Sequence, residues 1–378
     1  MTYDPLKIGF IGGGINSAVG YAHLAAMRLD RRFHVICGAF SQEEAQNLET
    51  AKVYGIEEEN VYWDWRTLLS KHKNDLDAVA VLTPTPTHKE IVIECLKSGL
   101  PVICEKSLCL SSQEAFDIKQ TLEETNGFLA ITYNYSGYPM LRELRERIKN
   151  RELGDIQQVH IEMPQEGFLR KNPQTRSTNL PQSWRQTDAT VSTLALDLGV
   201  HTHHLTDFLT GQKPVELVAK EDHFGSITNV IDNVVCIAQY TNNMSSTAWF
   251  GKCALGHRNG LRVRIFGSEG SAEWYQMDPE NLHLCDMFGT RKIIDRSDPA
   301  NTIATQARYN RFKPGHPDGF IEAFANYYCD IADKLVSQQT KEDDVYVAGV
   351  DVAIESMQYL EAITRSSKSR NWVTVKDE

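Results

Sequence analysis

Basic charge is scarce in this sequence. Lys and Arg number 39 against 50 Asp and Glu, a formal net charge of −11 across 378 residues. Such a surface releases few counterions and argues against nucleic acid or an anionic membrane as the main partner. Long hydrophobic runs are also missing, since no stretch approaches the roughly 18 apolar residues that cross a bilayer. The N-terminal MTYDPLKIGFIGGG has no basic segment followed by an apolar one and leads straight into a strand pattern, which argues for a cytoplasmic chain. There is no Cys-x-x-Cys pair among the eight cysteines, and Cys37 and Cys104 sit inside apolar runs where a thiol behaves as a small hydrophobe. All eight read as reduced thiols, and no metal centre is expected. Repeats and low-complexity tracts are absent as well. What is present is ample core material, 41% hydrophobic against 24% charged. At roughly 150 residues per domain, the length suggests two or three domains.

Short apolar runs recur at 7–11, 34–40, 78–82, 101–104 and 128–132, and helix-like stretches separate them at 20–29, 42–54, 65–71, 89–98 and 112–126. Continuously apolar strands between amphipathic helices predict a doubly wound parallel sheet, covered on both faces, with its ligand at the carboxyl ends of the strands. Beyond about 135 the texture changes. A helix is expected over 141–151, then longer alternating segments at 157–162, 215–220, 234–240 and 261–266. RVRIFGSEGSAEWYQ reads as a hairpin turning through Gly267-Ser268-Glu269-Gly270, and two helices are expected at 320–336 and 347–364. The expected fold is therefore an α/β Rossmann domain over 1–135 and an α+β domain with a large, mostly antiparallel open sheet over 136–378.

Gly12-Gly13-Gly14 follows the first strand and precedes a helix, the context of a dinucleotide fingerprint. Gly12 permits the tight turn and Gly14 the approach of a pyrophosphate. The third glycine is displaced to Gly20, which lengthens the loop through Ile15 and Asn16. An acidic residue is expected some 20 residues further on to hold the ribose diol, but Ser41 stands there. Ser41 reads either as a cofactor contact or as the N-cap of a capping box with Glu44. Without a nearby Lys or Arg, and with Glu43 and Glu44 repelling a phosphate, NAD is favoured over NADP.

Lys106 lies just past the fourth strand, at the rim of the expected crevice. Asp197 and His201 are four residues apart and would share a helix face, so that a carboxylate steadies an imidazole titrating near neutrality. His201, His203 and His204 resemble a metal cluster, but their helical spacing does not converge on one ion.

Together these residues resemble the Gfo/Idh/MocA group, the glucose–fructose oxidoreductase and inositol dehydrogenase family. The match runs from the glycine loop and Gly20-x-x-His23 through Thr83-Pro84-Thr85-x-Thr87-His88, Glu105-Lys106, the 133–138 crossover, Glu152-Leu153-Gly154-Asp155 and Trp184-Arg185 to Asp197-x-x-x-His201. The resemblance implies a bound nicotinamide cofactor, a homodimer or homotetramer formed through the open sheet, and a sugar or cyclitol substrate. It implies that Lys106 hydrogen-bonds the reacting oxygen, His201 exchanges its proton and Asp197 orients the system. Thr83, Pro84, His88 and Glu105 join Lys106 along the cofactor. The family's Glu-Lys-Pro is Glu-Lys-Ser here, with Ser107 in place of the proline. Tyr135, Arg185, His204 and His316 are candidate substrate contacts. The function expected is hydride transfer between NAD(P) and a secondary hydroxyl. An NAD-retaining glycoside-cleaving enzyme and a non-catalytic nucleotide-binding regulator are the alternatives.

Overall fold

The computed structural model describes residues 4–178, 180–337 and 346–376. The chain forms two compact units. One holds the N-terminal part to Gly137 together with Phe320–Ile354, and the other holds Tyr138–Gly319 and the chain from Glu355 onward. Residues 320–354 thus belong with the first unit, whereas the sequence reading runs a second domain unbroken from 136.

In the first unit the parallel sheet has strands β1 (Leu6–Gly12), β2 (Phe33–Ala39), β3 (Ala78–Leu82), β4 (Val102–Cys104) and β5 (Leu129–Ile131). Their order is β2-β1-β3-β4-β5, with every pairing parallel. The winding reverses beside β1 and β3, where Gly12 pairs with Leu82. Helices α1 (Gly20–Leu29), α2 (Glu44–Tyr54), α3 (Trp65–His72), α4 (His88–Lys97) and α5 (Ser112–Thr125) connect the strands. β3 and β4 are buried along their whole length, as a sheet covered on both faces requires. Local capping sets the helix starts: Asp64 accepts from Thr67 N at 2.9 Å. Ser111 accepts from Glu114 N at 3.2 Å while Glu114 reaches back to Leu110 N at 2.9 Å.

The second unit opens with α6 (Pro139–Lys149), whose proline occupies the first helical turn. Strands β6 (Ile156–Pro164), β7 (Pro214–Asp222), β8 (Asn233–Tyr240), β9 (Ser245–Gly251), β10 (Arg262–Gly267), β11 (Gly270–Tyr275), β12 (Asp278–Asp286) and β13 (Arg291–Ile294) follow, with α7 (Val200–Thr210) between β6 and β7. The hairpin expected at 267–270 is formed, with Arg262 opposite Tyr275. The chain then supplies α8 (Phe320–Ser337) to the first unit, runs through α9 (Val350–Ser369) and ends in β14 (Val373–Thr374). The nine-stranded order is β13-β12-β11-β10-β6-β9-β8-β7-β14, antiparallel except for β6 with β9. Alternation divides its faces: Val234, Cys236 and Ala238 are buried, whereas Val235 and Ile237 are exposed on the side away from the core.

Candidate functional site

At the carboxyl end of β1, Gly12 and Gly13 adopt φ values of 82° and 74°. A Cβ on Gly12 would come within 2.8 Å of the Leu82–Thr83 backbone, so β1 and β3 meet where a side chain cannot fit. Gly20 fills the place of the displaced third glycine. It begins α1, and a Cβ there would stand 2.0 Å from Gly13 O. Ser17 Oγ accepts from Val19 N and Gly20 N, each at 3.3 Å. The longer loop therefore still brings a helix start onto the glycine turn, and Gly12 to Gly14 present backbone without side chains at the carboxyl end of β1, a cradle that fits a dinucleotide pyrophosphate.

Two residues that sequence reading missed hold this loop. Thr50 Oγ1 accepts from Ile15 N at 3.1 Å, and Tyr54 OH donates to Gly13 O at 2.9 Å. They lie four apart on one face of α2, the only signal that could have found them. Burial pushes the Tyr54 hydroxyl up to about 12, so it remains a donor. Ile15, assigned to the cofactor from sequence, has its amide engaged by the protein itself.

Ser41 does not form the expected capping box. α2 starts at Glu44 with Glu43 as its N-cap, and Ser41 Oγ accepts from Glu43 N at 3.1 Å and donates to Gln46 Oε1 at 2.9 Å. The fully buried Asn47 takes Phe40 N at 2.9 Å and donates to Tyr62 O at 2.7 Å, which fixes the chain after β2 and delays the helix.

Thr83 and Pro84 follow β3 on the accessible rim. His88 is buried, and its ring nitrogens face Thr83 O at 2.7 Å and Ser107 O at 2.8 Å. Burial lowers its pKa, opposed by those two carbonyls. His88 therefore brackets the loops after β3 and β4, and any influence on a cofactor passes through them.

Lys106 is partly exposed just past β4, and the Lys106–Ser107 peptide is cis. Beneath it Glu105 is buried and its carboxylate is taken internally. His23 Nε2 donates to Glu105 Oε1 at 3.0 Å, and Thr132 Oγ1 donates to the same oxygen. An ionised carboxylate only accepts, so His23 Nε2 carries a proton, and on the other side of the ring Nδ1 lies 2.5 Å from Tyr328 OH. Burial pushes the Glu105 carboxyl up, but the His23 hydrogen bond and charge, Lys106 and Thr132 together bring it below the usual range. Glu105 is thus buried beside Lys106 in the chain, with its carboxylate engaged by His23 and Thr132.

The remaining candidates divide between the units. Tyr135 belongs to the first, where it is buried and packs edge-on with Phe320, the ring centroids 6.0 Å apart. In the second, residues Ala195–Gly199 form a π-helical turn leading into α7, a feature found often at functional sites. The Asp197 carboxylate lies between Lys252 Nζ at 2.6 Å and Arg185 Nη1 at 2.7 Å. Lys252, just past β9, was missed because only the sheet order brings it to Asp197. Arg185 also lies over the Trp184 ring, 4.6 Å from its centroid. His201 is buried at the start of α7. His204, expected to touch substrate, is buried and stacked on Phe208, and burial with His203 and Lys213 nearby brings it down to about 3. It belongs to the packing of α7 as a neutral ring. His316 is exposed, packs edge-on against Phe312 and gives its carbonyl to Arg296 at 3.0 Å.

Comparison with known proteins agrees with this construction. The oxidoreductase family with an NAD-binding Rossmann fold matches residues 6–133, and the GFO/IDH/MocA C-terminal domain matches residues 141–273. The chain belongs to the Gfo/Idh/MocA family. Among curated members, an uncharacterized oxidoreductase, YfiI of Bacillus subtilis, is 27% identical over 98% of this chain and 97% of the relative. An inositol dehydrogenase homolog from Azotobacter vinelandii, solved with NADH and myo-inositol, superposes with a TM-score of 0.88 at 25% identity, covering 98% of each chain. An oxidoreductase from Sinorhizobium meliloti gives 0.86 at 28% identity over 98% of this chain and all of that one. That family is one of oxidoreductases with an NAD-binding Rossmann fold, and the five-stranded parallel sheet of that fold is present here. No helix among the described residues is long and apolar enough to cross a membrane.

Proposed function

We propose that this Gfo/Idh/MocA protein is an NAD(P)-linked dehydrogenase that oxidises a secondary hydroxyl of a sugar, sugar derivative or cyclitol. The observation that carries the reading lies within one unit. A glycine cradle ends β1, and past β4 Lys106 directly follows a carboxylate that two buried groups, His23 and Thr132, hold in place, with Tyr328 behind His23. The Lys106 charge is near enough to favour the ionised form of Glu105, which couples the rim lysine to this buried cluster. The relatives solved or named with myo-inositol, inositol and levoglucosan support the substrate class.

The nicotinamide, when bound, accepts the hydride. The chain's own residues move and hold the proton. His201 takes it from the substrate hydroxyl as the C–H bond breaks, since an imidazole suits proton transfer near neutral pH. The Lys106 ammonium donates a hydrogen bond to the oxygen as negative charge builds there. Asp197, held between Arg185 and Lys252, fixes two cations at the turn that leads into the helix carrying His201. Gly12, Gly14 and Asn16 would hold the pyrophosphate of a bound dinucleotide, and Thr83 and Pro84 would line its site.

The exposed Val235, Ile237, Phe266 and Ile293 on the uncovered side of the nine-stranded sheet support assembly of like subunits through that face. The test is absorbance of reduced nicotinamide when purified protein meets a panel of cyclitols and sugars with NAD or NADP. Growth with at least one polyol is expected. Release of free sugar from a glycoside without net reduction would select the bond-cleaving alternative. Tight dinucleotide binding without turnover of either kind would select a regulator.

A further inference from the structure

We propose that Gln46, aimed by Ser41, reads the adenosine ribose of the dinucleotide and accepts a 2′-hydroxyl and a 2′-phosphate alike, so that the chain binds both NAD and NADP. The inference rests on the dinucleotide reading above and adds the residue that sets cofactor choice.

Ser41 lies at the end of β2, where an acidic side chain would otherwise grip the ribose diol. Its oxygen accepts from Glu43 N at 3.1 Å, and its proton is directed to Gln46 Oε1 at 2.9 Å. With that oxygen occupied, the amide nitrogen of Gln46 turns to the glycine loop, and a Cβ built on Gly14 would lie 3.8 Å from Nε2. The backbone is held as well. Thr50 Oγ1 donates to Gln46 O at 2.6 Å and accepts from Ile15 N at 3.1 Å. Gln46 is therefore tied through Thr50 to the cradle itself, not to a loose loop.

The chemistry differs from the common arrangement in one respect. A carboxylate accepts from the ribose hydroxyls and repels a phosphate; a carboxamide NH2 donates, and hydroxyl and phosphate oxygens both accept. Glu43 and Glu44 still oppose a phosphate, but they are exposed and screened by solvent, which leaves NAD favoured only modestly.

The experiment is titration calorimetry of NADH and NADPH on the full-length protein, wild type against Gln46→Glu and Ser41→Ala, with melting temperatures to establish folding. Wild type should bind both with affinities within about tenfold, and Gln46→Glu should weaken NADPH by roughly tenfold or more while NADH stays within about threefold. Ser41→Ala, which frees the amide to turn, should weaken both by about threefold. A wild-type preference beyond tenfold, or a Gln46→Glu variant that leaves the ratio unchanged, would overturn the inference. Failure of wild type to bind either dinucleotide would instead bring down the functional reading on which it rests.

Discussion

Replacing His23 with Ala removes one of two donors to a largely buried carboxylate. His23 is 0% exposed and Glu105 7%. Removing one partner of such a buried pair leaves the other charge uncompensated, typically at 3–5 kcal/mol. The ring also packs at 4.5 Å from Phe324 and 5.8 Å from Tyr328, so a cavity adds to the loss. About 4 kcal/mol is therefore expected at pH 7. Tyr328→Phe keeps the ring and removes only the hydroxyl over Nδ1, and about 1 kcal/mol is expected. The pH dependence has a definite sign. Glu105 is held below the ordinary glutamate value in the folded chain, so it contributes stability above that value, lost as pH falls through the lower folded one. The penalty of His23→Ala should consequently shrink on acidification from pH 7 towards the ordinary glutamate pKa of about 4.3, because a protonated Glu105 no longer needs the partner. Urea unfolding of wild type and both variants at several pH values measures this. A His23→Ala variant within about 1 kcal/mol of wild type at pH 7, or a penalty that grows on acidification, would refute the reasoning.

Two further outcomes are expected. Gly12→Ala places a Cβ 2.8 Å from backbone at φ 82° and should cost about 2 kcal/mol or more while abolishing measurable NADH binding; calorimetry and melting read the two effects separately. Ile237→Glu, on the exposed side of β8, should lower the assembly state seen by light scattering without changing the melting of the subunit by more than a few degrees. An unchanged mass would remove this face from the assembly.

The local parts of this fold were legible in the sequence, and the long-range parts were not. β1 to β5 and their helices follow from apolar runs and amphipathic periods, which are properties of a few consecutive residues. The Ser-x-x-Glu pattern shows the limit of such reading. It caps a helix at Ser111, with Glu114 reaching back to Leu110 N, but not at Ser41 and Glu44, where buried Asn47 decides the backbone from a different contact. Gly20 was recognised as displaced, and the structure explains why it suffices: the loop lengthens, yet the helix start still touches Gly13. Lys106 was placed correctly past β4, but the buried cluster around its neighbour Glu105 needs His23 from α1 and Tyr328 from α8, some 300 residues apart in the chain. The partnership of Asp197 with Lys252 likewise depends on strand order, which no local pattern encodes.

The central claim is that Lys106 and His201 carry proton and charge for a nicotinamide-linked oxidation. Its most direct test is turnover of Lys106→Ala and His201→Ala on a polyol that wild type oxidises, with NADH affinity measured alongside. Each variant should lose roughly a hundredfold or more in turnover while binding NADH nearly as wild type does. Turnover at the wild-type rate in both would contradict the assignment.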